Sequence, residues 1–508
     1  MKPSVRSQLN LEALEERAVP AVTAVVDTDG DLNITGAPTG ALVLTLTANE
    51  TYSLTDGGGG VVITGGPMAS GDVIFDLDFA GTGNDTITVN FATFSMGQNF
   101  IIDSGTGLDT VTLNGSGTIP GNIEFSNVNV VEFPMNIVYG GDITVDAEAE
   151  SENEDIDFNR ATIAGNVTLL TGNGTDDIDL IRSLFNGNLN IDTGSGNDDI
   201  DLTMGTTVRG DMNVLTGNGD DDITINFGNL NFLGVDAGFG NDDLILLGGT
   251  TINGNLHTWG VNTLDVPSTA VIGGTVGIDS NDENRVGTYD FDGTFVGGNI
   301  YIYSGNLEDT VNIINGTFVG GEVGLSLGNA IGGAVDNEVT LDGNSVISRN
   351  LIVYGGSGAD SIDLDGNIFG SVFLRLGTGT NTVEADGIIE GSFEFIGGGG
   401  TDSATVTNYV GGNLFFNLGG GSNTVDMTMI SEGAQIYYMG GSGVDSVTFD
   451  GNALRARLFA FLQGSNDTFV LGTSARLSFL YVDFGSGFDT FTNMLFFVPF
   501  RHYLRNLP

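Results

Sequence analysis

The sequence predicts an all-β fold, a single-stack parallel β-helix or β-solenoid wound in coils of about 22 residues and closed by short terminal caps. Three observations carry that expectation. The pattern Gly-x-Gly-x-Asp-x-apolar-x-apolar is fullest in Gly194-Ser195-Gly196-Asn197-Asp198-Asp199-Ile200-Asp201-Leu202. It starts again at Gly81, Gly105, Gly172, Gly217, Gly238, Gly356, Gly377, Gly398, Gly419, Gly441 and Gly485, at intervals of 21 to 24 residues or near multiples of them. A second motif keeps phase seven residues ahead: Gly165-Asn166-Val167, Gly187-Asn188-Leu189, Gly210-Asp211-Met212, Gly298-Asn299-Ile300, Gly370-Ser371-Val372 and Gly412-Asn413-Leu414. Beside each turn apolar and polar residues alternate, Leu189 and Ile191 with Asn188 and Asn190, then Ile200 and Leu202 with Asp199 and Asp201. That is the period of a strand with one buried face.

Such a strand buries its apolar side by lying on its counterpart in the next coil, about 4.8 Å away. The crossover is then right-handed. Each coil has two firm strands and a weaker third side with one or two apolar residues, as at Leu184-Phe185, Val208 or Phe369. Glycine makes the corners, where positive φ or close backbone approach leaves no room for a Cβ. From Gly36 to Gly485 roughly 20 coils give a rod on the order of 100 Å long, whose ends are sheet edges that need covering.

In chain order, residues 1–26 lack the apolar stretch of a secretory signal peptide. Leu9 to Arg17 reads as a short amphipathic helix ended near Pro20, suited to cap the first coil. Residues 27–490 form the β-helix. Its first coils are weakly marked, with turns at Asp29-Gly30-Asp31 and Asp56-Gly57-Gly58-Gly59-Gly60 and apolar runs at Leu42 to Leu46 and Val61 to Ile63. From Gly115 to Phe158 the glycine signature fades, and an acidic run from Asp146 to Asp157 reads as solvated surface. Residues 165–247 are the most regular. There strand parity turns Asp177, Asp179, Asp199, Asp201, Asp222 and Asp243 to solvent, one coil above another. The coils between Gly254 and Gly343 are irregular, with His257 and Trp259 in one and a loop at Asn329 to Asp336; regularity returns from Gly355 to Gly485. Residues 491–508, with Phe496, Phe497, Phe500, Arg501, His502, Tyr503 and Arg505, are expected to cap the last coil.

Acidic residues number 65 against 14 basic ones, a net charge of −51. Nucleic acid and anionic membrane are poor partners for such a surface, which leaves cations, basic proteins and neutral polysaccharide. The chain has no Cys, so disulfides and thiolate metal sites are excluded. No apolar run reaches the ~18 residues of a membrane span.

Two stretches resemble known families. Leu11-Glu12-x-Leu14-Glu15-x-Arg17-x-x-Pro20-Ala21 resembles the N-terminal motif of large secreted and surface proteins of planctomycete bacteria. The resemblance implies a sorting signal, a secreted or cell-surface location, and a glycine-rich β-solenoid behind it. Gly355-Gly356-Ser357-Gly358-Ala359-Asp360-Ser361-Ile362-Asp363 and Gly440-Gly441-Ser442-Gly443-Val444-Asp445-Ser446-Val447-Thr448 are similar to the calcium-binding nonapeptides of RTX proteins. There the nonapeptides follow one another directly. Here one copy falls in each coil, so the resemblance implies calcium along one edge only.

The candidate metal ligands form two rows. The motif residues Asp176, Asp198, Asp221, Asp242, Asp360 and Asp445 share the parity of the core and lean inward at a corner. They read either as calcium ligands or as local caps that accept turn N–H groups, a task Asn performs as well; Asn284, Asn381 and Asn423 stand in equivalent places. The outward row Asp177, Asp199, Asp222 and Asp243 stacks like charges. Two carboxylates about 5 Å apart repel by ~0.8 kcal/mol in water and ~3 kcal/mol at an effective dielectric near 20. Oxygen donors favour calcium over zinc, at the weak affinity of extracellular sites.

The functional expectation is therefore an extracellular or cell-surface structural or adhesive solenoid with an acidic, calcium-binding face. The alternative is a polysaccharide-active β-helix enzyme, a hydrolase or lyase, using stacked pairs such as Asp176 with Asp177 or Asp198 with Asp199. Against it, carboxylates recur as a decoration of the repeat and no singular cluster stands out, so no catalytic residue is assigned. His257 with Trp259 reads as a substituted surface position, with sugar stacking on Trp259 as the alternative.

Overall fold

A computed structural model describes residues 22–506, apart from 37, 39, 47–50, 58–61, 66–71, 77–83, 96–98, 149–150, 281–284, 329–335, 430, 432 and 496–500. The motif at Leu11 to Ala21, Asn284, most of the expected loop at Asn329, and Phe496, Phe497 and Phe500 lie outside the described residues. The described residues are all β, without a helix, in about 18 stacked turns.

Each regular coil has three sides. The first follows the Gly-x-Gly-x-Asp turn: Asp177–Ile181, Asp199–Thr203, Asp222–Asn226 and Asp243–Leu247 pair in parallel, with Ile178 on Ile200, Ile200 on Ile223 and Ile223 on Leu244. The second follows the Gly-Asn turn: Val167–Leu170 pairs with Leu189–Asp192, and that strand with the end of Thr207–Leu215. The third side is short, two residues in Thr162–Ile163, Leu184–Phe185 and Thr251–Ile252. Two inward residues from each long side and one from the short side fill the interior. In one coil these are Leu189, Ile191, Ile200, Leu202 and Phe185, all buried, each worth about 1.5–3 kcal/mol of burial. Where the glycine signature fades, aromatic rings take over the interior; Phe133 stacks on Phe158 at 4.4 Å, and Phe158 meets Phe185 at 5.3 Å.

The N-terminal end departs from the expected coils. Leu32–Gly36 and Leu42–Leu46 do start the parallel stack, on Val73–Asp76 and Thr86–Ser95. Their other edges are covered by antiparallel neighbours: Val22–Val26 folds onto Leu32–Gly36, and Tyr52–Asp56 onto Leu42–Leu46, with Val62–Gly65 beyond it. A first coil has nothing beneath it, and a hairpin supplies the missing strand without a further full turn. The Asp29-Gly30-Asp31 turn belongs to such a hairpin: Asp27 Oδ1 accepts the N–H groups of Asp29 and Asp31 at 2.9 and 3.0 Å. At the other end Arg501–Arg505 runs parallel to Phe479–Asp483 and adds one more strand to the second side. Its Arg505 puts positive charge on the last edge, which discourages edge-to-edge pairing.

Candidate functional site

The motif carboxylates are inside the wall. Asp198 is 2 % exposed, and Asp176, Asp221, Asp242, Asp360 and Asp445 are likewise buried. A local reading of the motif expects bonds within the turn, and Asp445 does take the N–H of Gly441 there, but the recurrent bonds run between coils. The N–H of Glu154 donates to Oδ1 of Asp176 at 2.9 Å, that of Asp176 to Asp198 at 3.0 Å, Asp198 to Asp221 at 3.0 Å and Asp221 to Asp242 at 3.1 Å. Asp242 donates in turn to Asn262. Upstream the row runs back through Asn129 and Asp109 to Asp85. It resumes at Gly287, whose N–H meets Asp309, and continues through Asn337, Asp360, Asn381, Asp402, Asn423, Asp445 and Asp467 to Asp489. Among the described residues the row is interrupted once, where Gly287 brings no side chain to it.

This ladder explains why Asp and Asn interchange: both offer an Oδ1, and Asn381 and Asn423 add an amide bond to the next carboxylate at 2.8 and 3.0 Å. A hydroxyl serves the second oxygen in some coils, Thr171 on Asp176 and Ser304 on Asp309, each at 2.6 Å. Burial pushes these carboxyls up: Asp109, Asp198 and Asp467 to about 6, Asp309 to about 7, with the accepted N–H bonds opposing the shift. Glu154 is raised further, by burial and then by the Asp176 carboxylate against it.

The other two corners carry their own rows. At the Gly-Asn corner the polarity is reversed, and a side chain accepts the N–H of the following coil: Asp142 from Asn166, Asn166 from Asn188, and Asn188 from Asp211, at 2.7 to 3.0 Å. At the third corner a buried hydroxyl donates to a carbonyl of the coil before: Ser183 to Phe158, Thr206 to Leu180, Thr250 to Ile225 and Thr317 to Phe291. Just ahead of these hydroxyls Arg182 and Met204 hold left-handed backbone, φ 53° and 57°.

The outward row lies where strand parity places it. Asp177, Asp199 and Asp222 are exposed and Asp243 half-buried, in direct register up the first side. Partial burial and then neighbouring carboxylates raise Asp177 and Asp222, and carry Asp199 to about 6. The stacked pairs proposed for catalysis are divided by the sheet: Asp176 and Asp198 face inward, Asp177 and Asp199 outward, so neither pair flanks one substrate.

The inner row does not fit a calcium cage. Calcium needs six to eight oxygens converging on one point. Here one oxygen of each carboxylate is committed to an inter-coil hydrogen bond; among the described residues no three acidic or histidine side chains converge as metal ligands, in this row or in the outward one. The outward row offers solvated oxygens at one per coil instead.

A third feature lies on the second side. A groove of about 780 Å³ is lined by the apolar Leu215, Phe232, Phe239 and Trp259 together with the polar Asn190, Asn213, Asp192, Asp236 and Asp279. Sequence reading singled out His257 and Trp259 but not the groove. His257 lies between Phe232 and Trp259, ring centroids 5.8 and 6.1 Å away, with Gly234 and Gly277 beside it in the adjoining coils. No described helix is long and apolar enough to cross a membrane. Compared with known protein families, curated proteins and solved structures, the chain matches none.

Proposed function

We propose that the chain is a structural or adhesive rod, displayed outside the cell or at its surface, whose acidic side is screened by divalent cations. The observation that supports this reading most is distribution. The same side chain returns in the same place coil after coil, and the outward carboxylates form a line along the rod and do not close into a pocket. A stack tied at all three corners by side-chain rows holds a fixed length, which suits a spacer or a presented surface. The N-terminal motif of planctomycete type fits export. Intact cells that make the protein should be stained by an antibody against the solenoid and should lose the epitope to external protease. Staining only after lysis would overturn the reading.

The outward row supplies the cation-binding part. Repulsion within it is relieved when a divalent ion sits between successive carboxylates, and calcium should do so better than magnesium, which sheds water reluctantly. Added calcium is expected to raise the melting temperature by ligation to the folded state. Changing Asp177, Asp199, Asp222 and Asp243 together to Asn should remove most of that increment and raise stability in its absence. An increment unchanged in the quadruple variant defeats this assignment.

A further inference from the structure

The groove on the second side belongs to a longer pattern. The last residue of each second-side strand stands above its counterpart, and register gives the series Asp146, Leu170, Asp192, Leu215, Asp236, Trp259, Asp279 and Tyr303. Carboxylate and apolar group alternate without exception over eight coils. The period is two coils, about 9.6 Å, twice that of the fold, so the folding repeat does not impose it. Aromatic surface is left in water along this line: Trp259 is 45 % exposed, and Phe239, overhanging from the neighbouring corner, 64 %.

We propose that this strip binds a linear, uncharged polysaccharide lying along the rod, deepening the adhesive reading above, on which it rests. The rings of Trp259 and Tyr303, two coils apart, stack on the apolar faces of sugar rings, Leu170 and Leu215 extend the apolar line, and the carboxylates between them accept hydrogen bonds from hydroxyl groups. One coil rise is close to the length of one hexose unit, so successive sugars of an extended chain meet successive coils. The carboxylates are too far apart for a small ligand or a single ion to touch two of them; a polymer spans them. The groove lining contains no Lys or Arg, which excludes a polyanion. A cationic polymer gains as much or more from the first side, where Asp177, Asp199 and Asp222 stack without rings. What the strip has and that side lacks is exposed aromatic surface, the part that recognises an uncharged sugar. His257, wedged between Phe232 and Trp259, holds the Trp259 ring in place.

The test uses the full chain and three neutral probes, the hexamers of β-1,4-glucan, β-1,3-glucan and α-1,4-glucan, by calorimetry at low and high salt. At least one hexamer should bind with little salt dependence. Trp259→Ala should weaken it by about tenfold or more, Asp236→Asn should weaken it measurably, and Asp426→Asn on the first side should leave it unchanged. A fully deacetylated amino-sugar polymer and polygalacturonate serve as cationic and anionic comparisons. The proposal is overturned if none of the three hexamers binds, if Trp259→Ala has no effect, or if only the cationic polymer binds and salt abolishes it. Surface staining is unaffected by any of these outcomes, so failure of the strip and failure of the display reading are told apart.

Discussion

Lowering the pH from about 8 to about 5 will raise the melting temperature of this protein, the reverse of ordinary acid denaturation. Six carboxyls carry the expectation: Asp109, Asp157, Asp198, Asp199 and Asp467, pushed up to about 6, and Asp309, to about 7. Burial is the leading cause at each. At Asp157 and Asp199 neighbouring carboxylates add to it; at Asp309 and along the buried ladder hydrogen bonds oppose it.

The sign follows from linkage. An acid whose folded pKa lies above its unfolded value binds more protons in the folded state, so stability falls as pH rises between the two values. The contribution is whole below about pH 4, where the unfolded carboxyls are protonated too, and is gone above about pH 7. Asp157 and Asp199 are partly solvated, so screening reduces their share, and at the buried four the accepted hydrogen bonds oppose the shift, which leaves each at about 0.5 kcal/mol. Together that is still about 3 kcal/mol, a shift of several degrees. Protonating the other acids of a chain at −51 acts in the same direction.

The inner ladder supplies its own control. Changing Asp109, Asp198, Asp309 and Asp467 together to Asn keeps an Oδ1 for each inter-coil N–H and removes the titrating groups. The variant should melt higher than the parent at pH 8 and depend less on pH. A parent that is most stable near neutrality, or a variant with the full pH response, contradicts the account.

How much of this was legible in the sequence depends on the length scale of each feature. The coil, its two strong sides and the outward facing of Asp199 and Asp222 all follow from a period of about one coil and a parity of two, which residue order states directly. The covering of the first coil does not. The alternation in Leu42–Leu46 and Tyr52–Asp56 reads equally as stacked coils or as a hairpin, and only long-range pairing separates them. The inward lean of Asp198 was readable, but its partner was not, because an Asp that caps its own turn and one that reaches the next coil are the same letter in the same place. The hydroxyl row at Ser183, Thr206 and Thr250 escaped notice since Ser and Thr are common and no glycine rule marks Arg182 or Met204 ahead of them. The strip through Trp259 has a period of two coils, and a search tuned to one coil averages it away.

Replacing Gly196 with Val should be among the most damaging single changes in the regular coils, because the stack leaves no space above that corner. A Cβ on Gly196 would stand 1.5 Å from the carbonyl oxygen of Gly174, and one on Gly219 would stand 1.3 Å from that of Gly196. The spacing cannot open locally: Ser195 donates to Gly172 at 2.9 Å and Gly196 to Asn218 at 2.8 Å, so relief would break bonds to the coils on both sides. The obstacle is backbone rather than a movable side chain, which places the expected cost above about 4 kcal/mol. Asp199→Ser, three residues on and facing solvent, should cost nothing measurable and should relieve repulsion. The run Gly397–Gly400 gives the sharper comparison: a Cβ on Gly400 would lie 1.6 Å from the Gly379 oxygen, whereas Gly399 has nothing within 4 Å. Gly400→Ala should therefore lower the melting temperature and raise amide exchange in the coils on either side, while Gly399→Ala leaves both near the parent values. Equal melting temperatures for Gly196→Val and Asp199→Ser, or for the two alanine variants, would show that the corners are set by something other than the missing Cβ.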